Sequence, residues 1–61
     1  MLKIRVWDKE KMHDQNYAGP MEYTSKQCFV DSNGFFVFLD QNHEKQSFNP
    51  DFYMIDIFGG C

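Results

Sequence analysis

Two histidines each stand beside a carboxylate, His13-Asp14 and His43-Glu44, and Cys28 is the one thiol away from the last residue of the chain. Imidazole, thiolate and carboxylate are ligands that zinc accepts, and a cysteine beside a histidine is a familiar activated nucleophile. The spacing argues against both. Neighbouring residues of an extended chain point to opposite sides, and neither Cys-x-x-Cys nor His-x-x-x-His occurs. Cys28 also lies in the stretch Cys28-Phe29-Val30, where a thiol behaves as a small core hydrophobe. No carboxylates are paired at a defined spacing, and Gly59-Gly60 lacks the following helix that a phosphate-cradling loop requires. The expectation is no metal, no cofactor and no catalysis: not an enzyme.

Binding chemistry is better supplied. Lys3, Arg5 and Trp7 alternate along one face of the first segment, a basic and aromatic stripe suited to stacking and neutralising single-stranded nucleic acid. The charge balance weighs against that use. Residues 1–12 carry four cations against two acids, a local +2, but residues 13–61 carry two lysines against seven acids, a local −5. A phosphate backbone wants clustered Lys and Arg, whereas an acidic body suits a basic protein, such as one that itself handles nucleic acid.

Eleven of the 61 residues are aromatic, seven of them Phe, too many for a disordered chain. A chain of this length makes one domain, residues 1–61, and buries only about 60% of its unfolded surface. Such a scaffold usually needs a staple. Two cysteines, Cys28 and the terminal Cys61, make a poor one, so the expected support is protein surface, from a partner or a second copy. No segment has the layout of a signal peptide, and the longest apolar run, Phe35–Leu39, is too short to cross a membrane. A reduced, cytoplasmic setting is expected.

The elements follow from period and punctuation. Leu2–Trp7 alternates as a strand, with Leu2, Ile4 and Val6 on one face. A charged turn follows, then a second short strand or an irregular segment, broken by Gly19-Pro20, after which Met21–Tyr23 can resume as an edge strand. Asn33-Gly34 between apolar segments is a strong hairpin signal. A two-residue loop pairs Val30 with Val37 and sets Phe29, Phe36 and Phe38 on one face; a three-residue loop with Gly34 bulged pairs Val30 with Phe36. Residues 41–47 read as a polar connection or single helical turn, Asn49-Pro50 as a stop, Phe52–Phe58 as a last alternating strand, and residues 59–61 as a flexible end. No internal repeat is evident. The fold class is mainly β: a small antiparallel sheet or partly open barrel of four to five strands, with room for one short helical turn.

Leu2/Ile4/Val6, one hairpin face and Tyr53/Ile55/Ile57 can share a core. That leaves Trp7, two or three of the hairpin phenylalanines, Phe52, Met54 and Phe58 for a second face, which either folds over as a barrel-like second layer or meets another molecule. The expected partner-binding residues are therefore Trp7, Phe29, Phe36 and Phe38 as anchors, ringed by the acids Asp31, Asp40, Glu44 and Asp51 at turns and strand ends.

The segment Leu2–Met12, with Lys3, Ile4, Arg5, Val6, Trp7, Asp8, Lys9 and Met12 in place, resembles the opening of the YopX-like family of phages and prophages of Gram-positive bacteria. The resemblance implies a mobile-element origin and a β-rich fold, and no enzymatic activity. With the small, acidic, aromatic-rich chain, it leads to the expectation of a phage-encoded module that docks on a host protein, with an anti-CRISPR-like inhibitor the most concrete version. A self-associating accessory protein, dimeric through its phenylalanine face, is the alternative; a single-stranded nucleic-acid binder comes last.

Overall fold

The structure, a computed structural model, describes residues 1–59; the terminal Cys61, and with it any Cys28–Cys61 bridge, lies outside them. The described residues hold six strands and no helix: β1 (Leu2–Asp8), β2 (Met21–Ser25), β3 (Phe29–Val30), β4 (Phe36–Leu39), β5 (Lys45–Phe48) and β6 (Tyr53–Gly59). They form two antiparallel three-stranded sheets, β2-β1-β6 and β3-β4-β5. The mainly β class and the edge position of β2 hold. The strand count rises to six, because residues 45–48 form β5 where a connection was expected, and Gly59 ends β6 rather than opening a flexible tail.

Alternation explains the packing. In β2-β1-β6, Ile4 lies across from Tyr23 and Ile57, and Val6 from Met21 and Ile55, so one face collects the apolar residues. In β3-β4-β5, the register Val30↔Phe36 and Phe36↔Phe48 turns Phe36, Phe38 and Phe48 to one side. The two faces meet with Ile4, Val6, Phe38 and Phe48 buried, and Leu2, Tyr23, Cys28, Tyr53 and Ile55 around them. Four rings interlock here: Tyr23 stands edge-on to Phe38 at 5.3 Å, Phe38 stacks on Phe48 at 6.1 Å, and Phe48 meets Tyr53 edge-on at 5.2 Å. Such aromatic pairs add about 0.5–1.5 kcal/mol each beyond area burial. Ser25, buried at the end of β2, ties the sheets together: its hydroxyl lies 2.6 Å from the Leu39 carbonyl and 2.9 Å from that of Gln27, with one proton to share between them.

One turn is used twice. Asp31 Oδ1 accepts the N–H groups of Asn33 and Phe35, both at 2.9 Å, while Gly34 N–H donates to the Asp31 carbonyl. Nine residues on, Asp40 Oδ1 accepts from Asn42 at 2.8 Å and Glu44 at 3.0 Å, and His43 N–H donates to the Asp40 carbonyl. The third loop residue is left-handed in both, Gly34 at φ 83° and His43 at φ 62°. Asp31-Ser32-Asn33-Gly34 and Asp40-Gln41-Asn42-His43 are thus a short structural repeat. It is hidden in the sequence because a histidine stands where glycine marks the first copy. The three-residue loop selects the bulged register for β3–β4.

Asp40 gives this turn a pH dependence. Its Oδ2 accepts from Gln46 Nε2 at 2.9 Å, and this bond, followed by the Glu44 and Asn42 N–H groups and the nearby His43, holds the carboxyl below its ordinary value despite the cost of burial. A group with a depressed folded pKa adds stability in full above its unfolded value, here 3.8, and loses it as the pH falls toward the lower folded value. Thermal midpoints measured on the acid side of that value should fall. Asp40→Asn should start lower at neutral pH and show a shallower acid limb; equal acid limbs for the two proteins would remove Asp40 from the account.

Candidate surface for a protein partner

The register decides which aromatics are free. β4 shows one face to the core through Phe36 and Phe38, and the other outward through Val37 and Leu39, beside Phe29, the cross-strand neighbour of Val37. The expected roles of the two faces are therefore reversed. Phe38, only 1% exposed, lies at the centre of the core and is no docking anchor, because β1 and β6 cover the phenylalanine face. Phe36 is half-buried on that same face, and Phe29 does not share it. Val37 is buried on the outward face between its cross-strand neighbours Phe29 and Ser47.

On the outward side lies a cleft of about 820 Å³ whose walls come from both sheets, with Met1, Phe29, Val37, Leu39 and the buried Phe38 as its apolar part. Met1 is 61% exposed, Phe29 53% and Leu39 55%. The charged residues on its rim are Lys26, Lys45 and Asp40, with the His43 imidazole beside them. The expected acidic ring is not assembled. Asp31 sits in the β3–β4 turn and Asp51 in the β5–β6 turn at one end of β4, whereas Asp40 and Glu44 hold the β4–β5 turn at the other. The rise of the strand separates the ends by about 13 Å. Asp40 is moreover nearly covered, its oxygens occupied by its own turn and Gln46.

Trp7 lies elsewhere. It is half-buried on the outer face of β2-β1-β6 next to Met54, its partner across β1–β6. Lys3, Arg5 and Trp7 do share this face, but Arg5 is engaged: its Nε lies 3.4 Å from Glu22 and its guanidinium 4.7 Å above the Phe58 ring. A stripe whose central cation is held between an acid and an aromatic is poorly disposed toward phosphates.

The nucleophile and metal readings find no support in the geometry. Cys28 packs against the core, and burial pushes its thiol up, away from the thiolate that would attack or ligate. His13 and His43 are exposed, and among the described residues no three His, Cys, Asp or Glu side chains gather where they could hold a metal. Burial, and next the charge of Asp40, likewise raises the Tyr23 phenol, which keeps it a neutral core ring.

No described helix is long and apolar enough to cross a membrane. The cleft owed its obscurity to sequence distance: Met1, Phe29 and Leu39 become neighbours only through the stacking of two sheets, and their one local clue was the bulged hairpin register. Compared with known proteins, the chain matches no family model, no curated protein and no solved structure.

Proposed function

We propose that this chain is a protein-binding module that docks on a host protein through the Met1/Phe29/Leu39 cleft, and that its most concrete role is that of a phage-encoded, anti-CRISPR-like inhibitor acting in the host cytoplasm on a defence or nucleic-acid-handling protein. The observation that carries the docking is the trio of large apolar side chains, each more than half exposed, gathered on one concave surface. Exposed apolar clusters of this kind mark interaction sites, and a small interface must concentrate its affinity in a few anchors. The phage origin rests on the resemblance of Leu2–Met12 to the YopX-like family. The lysines on the rim favour an acidic border on the target beside the apolar contact.

The test starts from capture of the partner by the tagged chain in the host, followed by surface plasmon resonance with purified components. Phe29→Asp and Leu39→Asp should each weaken binding at least about tenfold, equivalent to 1.4 kcal/mol, mainly through faster dissociation. Lys26→Glu with Lys45→Glu should slow association and reduce its salt dependence. Undiminished affinity in both aspartate variants would sink the reading. If the chain alone sediments at twice its monomer mass, and Phe29→Asp returns it to monomer, the same cleft closes a dimer and the accessory-protein reading replaces the inhibitor.

A further inference from the structure

The outer edge of β6 is a second surface, separate from the cleft. Hydrogen bonds of an antiparallel ladder fall on alternate residue pairs, and Lys9 N–H to Phe52 carbonyl at 3.1 Å fixes which pairs they are. Continuing that register, Met54, Asp56 and Phe58 turn their backbone groups toward β1. Ile55 and Ile57 must then present theirs to the open side, where among the described residues no further strand follows β6 in the sheet. Two consecutive outward-facing residues with apolar side chains, on the seven-residue strand Tyr53–Gly59, are a template for another strand.

The outer face says what kind of strand fits. Across the sheet at mid-length runs the row Glu22, Arg5, Asp56, alternately negative, positive and negative. Arg5 gives its ion pair to Glu22, which leaves Asp56, exposed, at the open end of the row. An added antiparallel strand would hydrogen-bond through Ile55 and Ile57 and meet Asp56 in the intervening non-bonded position, where opposed side chains come closest. A Lys or Arg there continues the alternation. A second copy fits worse: a two-fold centred on Asp56 opposes the carboxylate to itself, and one centred on Ile55 or Ile57 opposes it to Met54 or Phe58. We propose that the free edge of β6 takes up an extended basic segment of a partner protein as an added antiparallel strand, with a cation opposite Asp56 and apolar residues beside Ile55 and Ile57.

The full chain, labelled with nitrogen-15, is titrated with a short blocked peptide alternating Val with Thr around a central Lys, and with the same peptide carrying Glu in place of Lys. The Lys peptide at millimolar concentration should slow amide exchange at Ile55 and Ile57 at least tenfold, and the Glu peptide should do so much less. Asp56→Lys should exchange the two preferences. Ile57→Pro, which removes an outward N–H but none that β1 uses, should abolish the effect of both. The proposal is overturned if neither peptide protects these amides, if protection falls instead around Phe29 and Leu39, or if it grows with protein concentration and needs no peptide.

Discussion

Phe38→Ala should leave the chain without a cooperative thermal transition. Phe38 is 1% exposed and lies between the Tyr23 and Phe48 rings. Truncating a buried phenylalanine costs about 3–5 kcal/mol, the lost transfer energy plus the cavity left behind. A domain of this size holds only about 3–5 kcal/mol in all, so one deletion consumes the whole reserve. Circular dichroism during heating is the measurement. Phe29→Ala is the control: the same chemical deletion, at a side chain 53% exposed, should leave the transition nearly where it was. If Phe38→Ala melts like the wild type, the two sheets do not share the core assigned to them.

The repeated turn yields the second large effect, and it has a sign test. A Cβ built on Gly34 would meet nothing within 4 Å, so the cost of replacing this glycine is conformational rather than steric. At φ 83° a side-chain-bearing residue is strained by about 1–2 kcal/mol, and a β-branched one more. Gly34→Val should therefore destabilise by at least about 1 kcal/mol. His43 carries the same kind of strain at φ 62°, so His43→Gly should move stability the other way, by less than about 1 kcal/mol because the added glycine also loosens the unfolded chain. Denaturant melts of the pair decide it. Shifts of the same sign would mean that the two turns are not the same structure.

Strands β1, β4 and β6 were legible because their apolar residues alternate or run together, and the β3–β4 hairpin because Asn33-Gly34 declares it. β5 was not: in Lys45-Gln46-Ser47-Phe48 only Phe48 reaches the core, and its hairpin turn lacks the glycine that would have announced it. The candidate surface was legible in part. That β4 would be apolar on both faces followed from its composition, but which face stays open depends on a one-residue choice of register, and that choice sent Phe38 inward and left Leu39 outside. The acids could be assigned to turns from sequence; that the turns fall at opposite ends of β4 is a property of the meander alone.

The sheet order also gives the molecule a direction in time. The turns of β3-β4-β5 close over a few residues each, whereas β1 must pair Leu2 with Gly59, nearly the full length of the chain. The entropy of closing a loop grows with its length, and distant pairings come late. On a ribosome, β1 can meet β2 early but keeps its other side open until β6 emerges, and Ile4 and Val6 wait with it for half of their cover. Of the six described strands, the one that closes β2-β1-β6 is the last to be made, and among the described residues its outer edge stays unfilled.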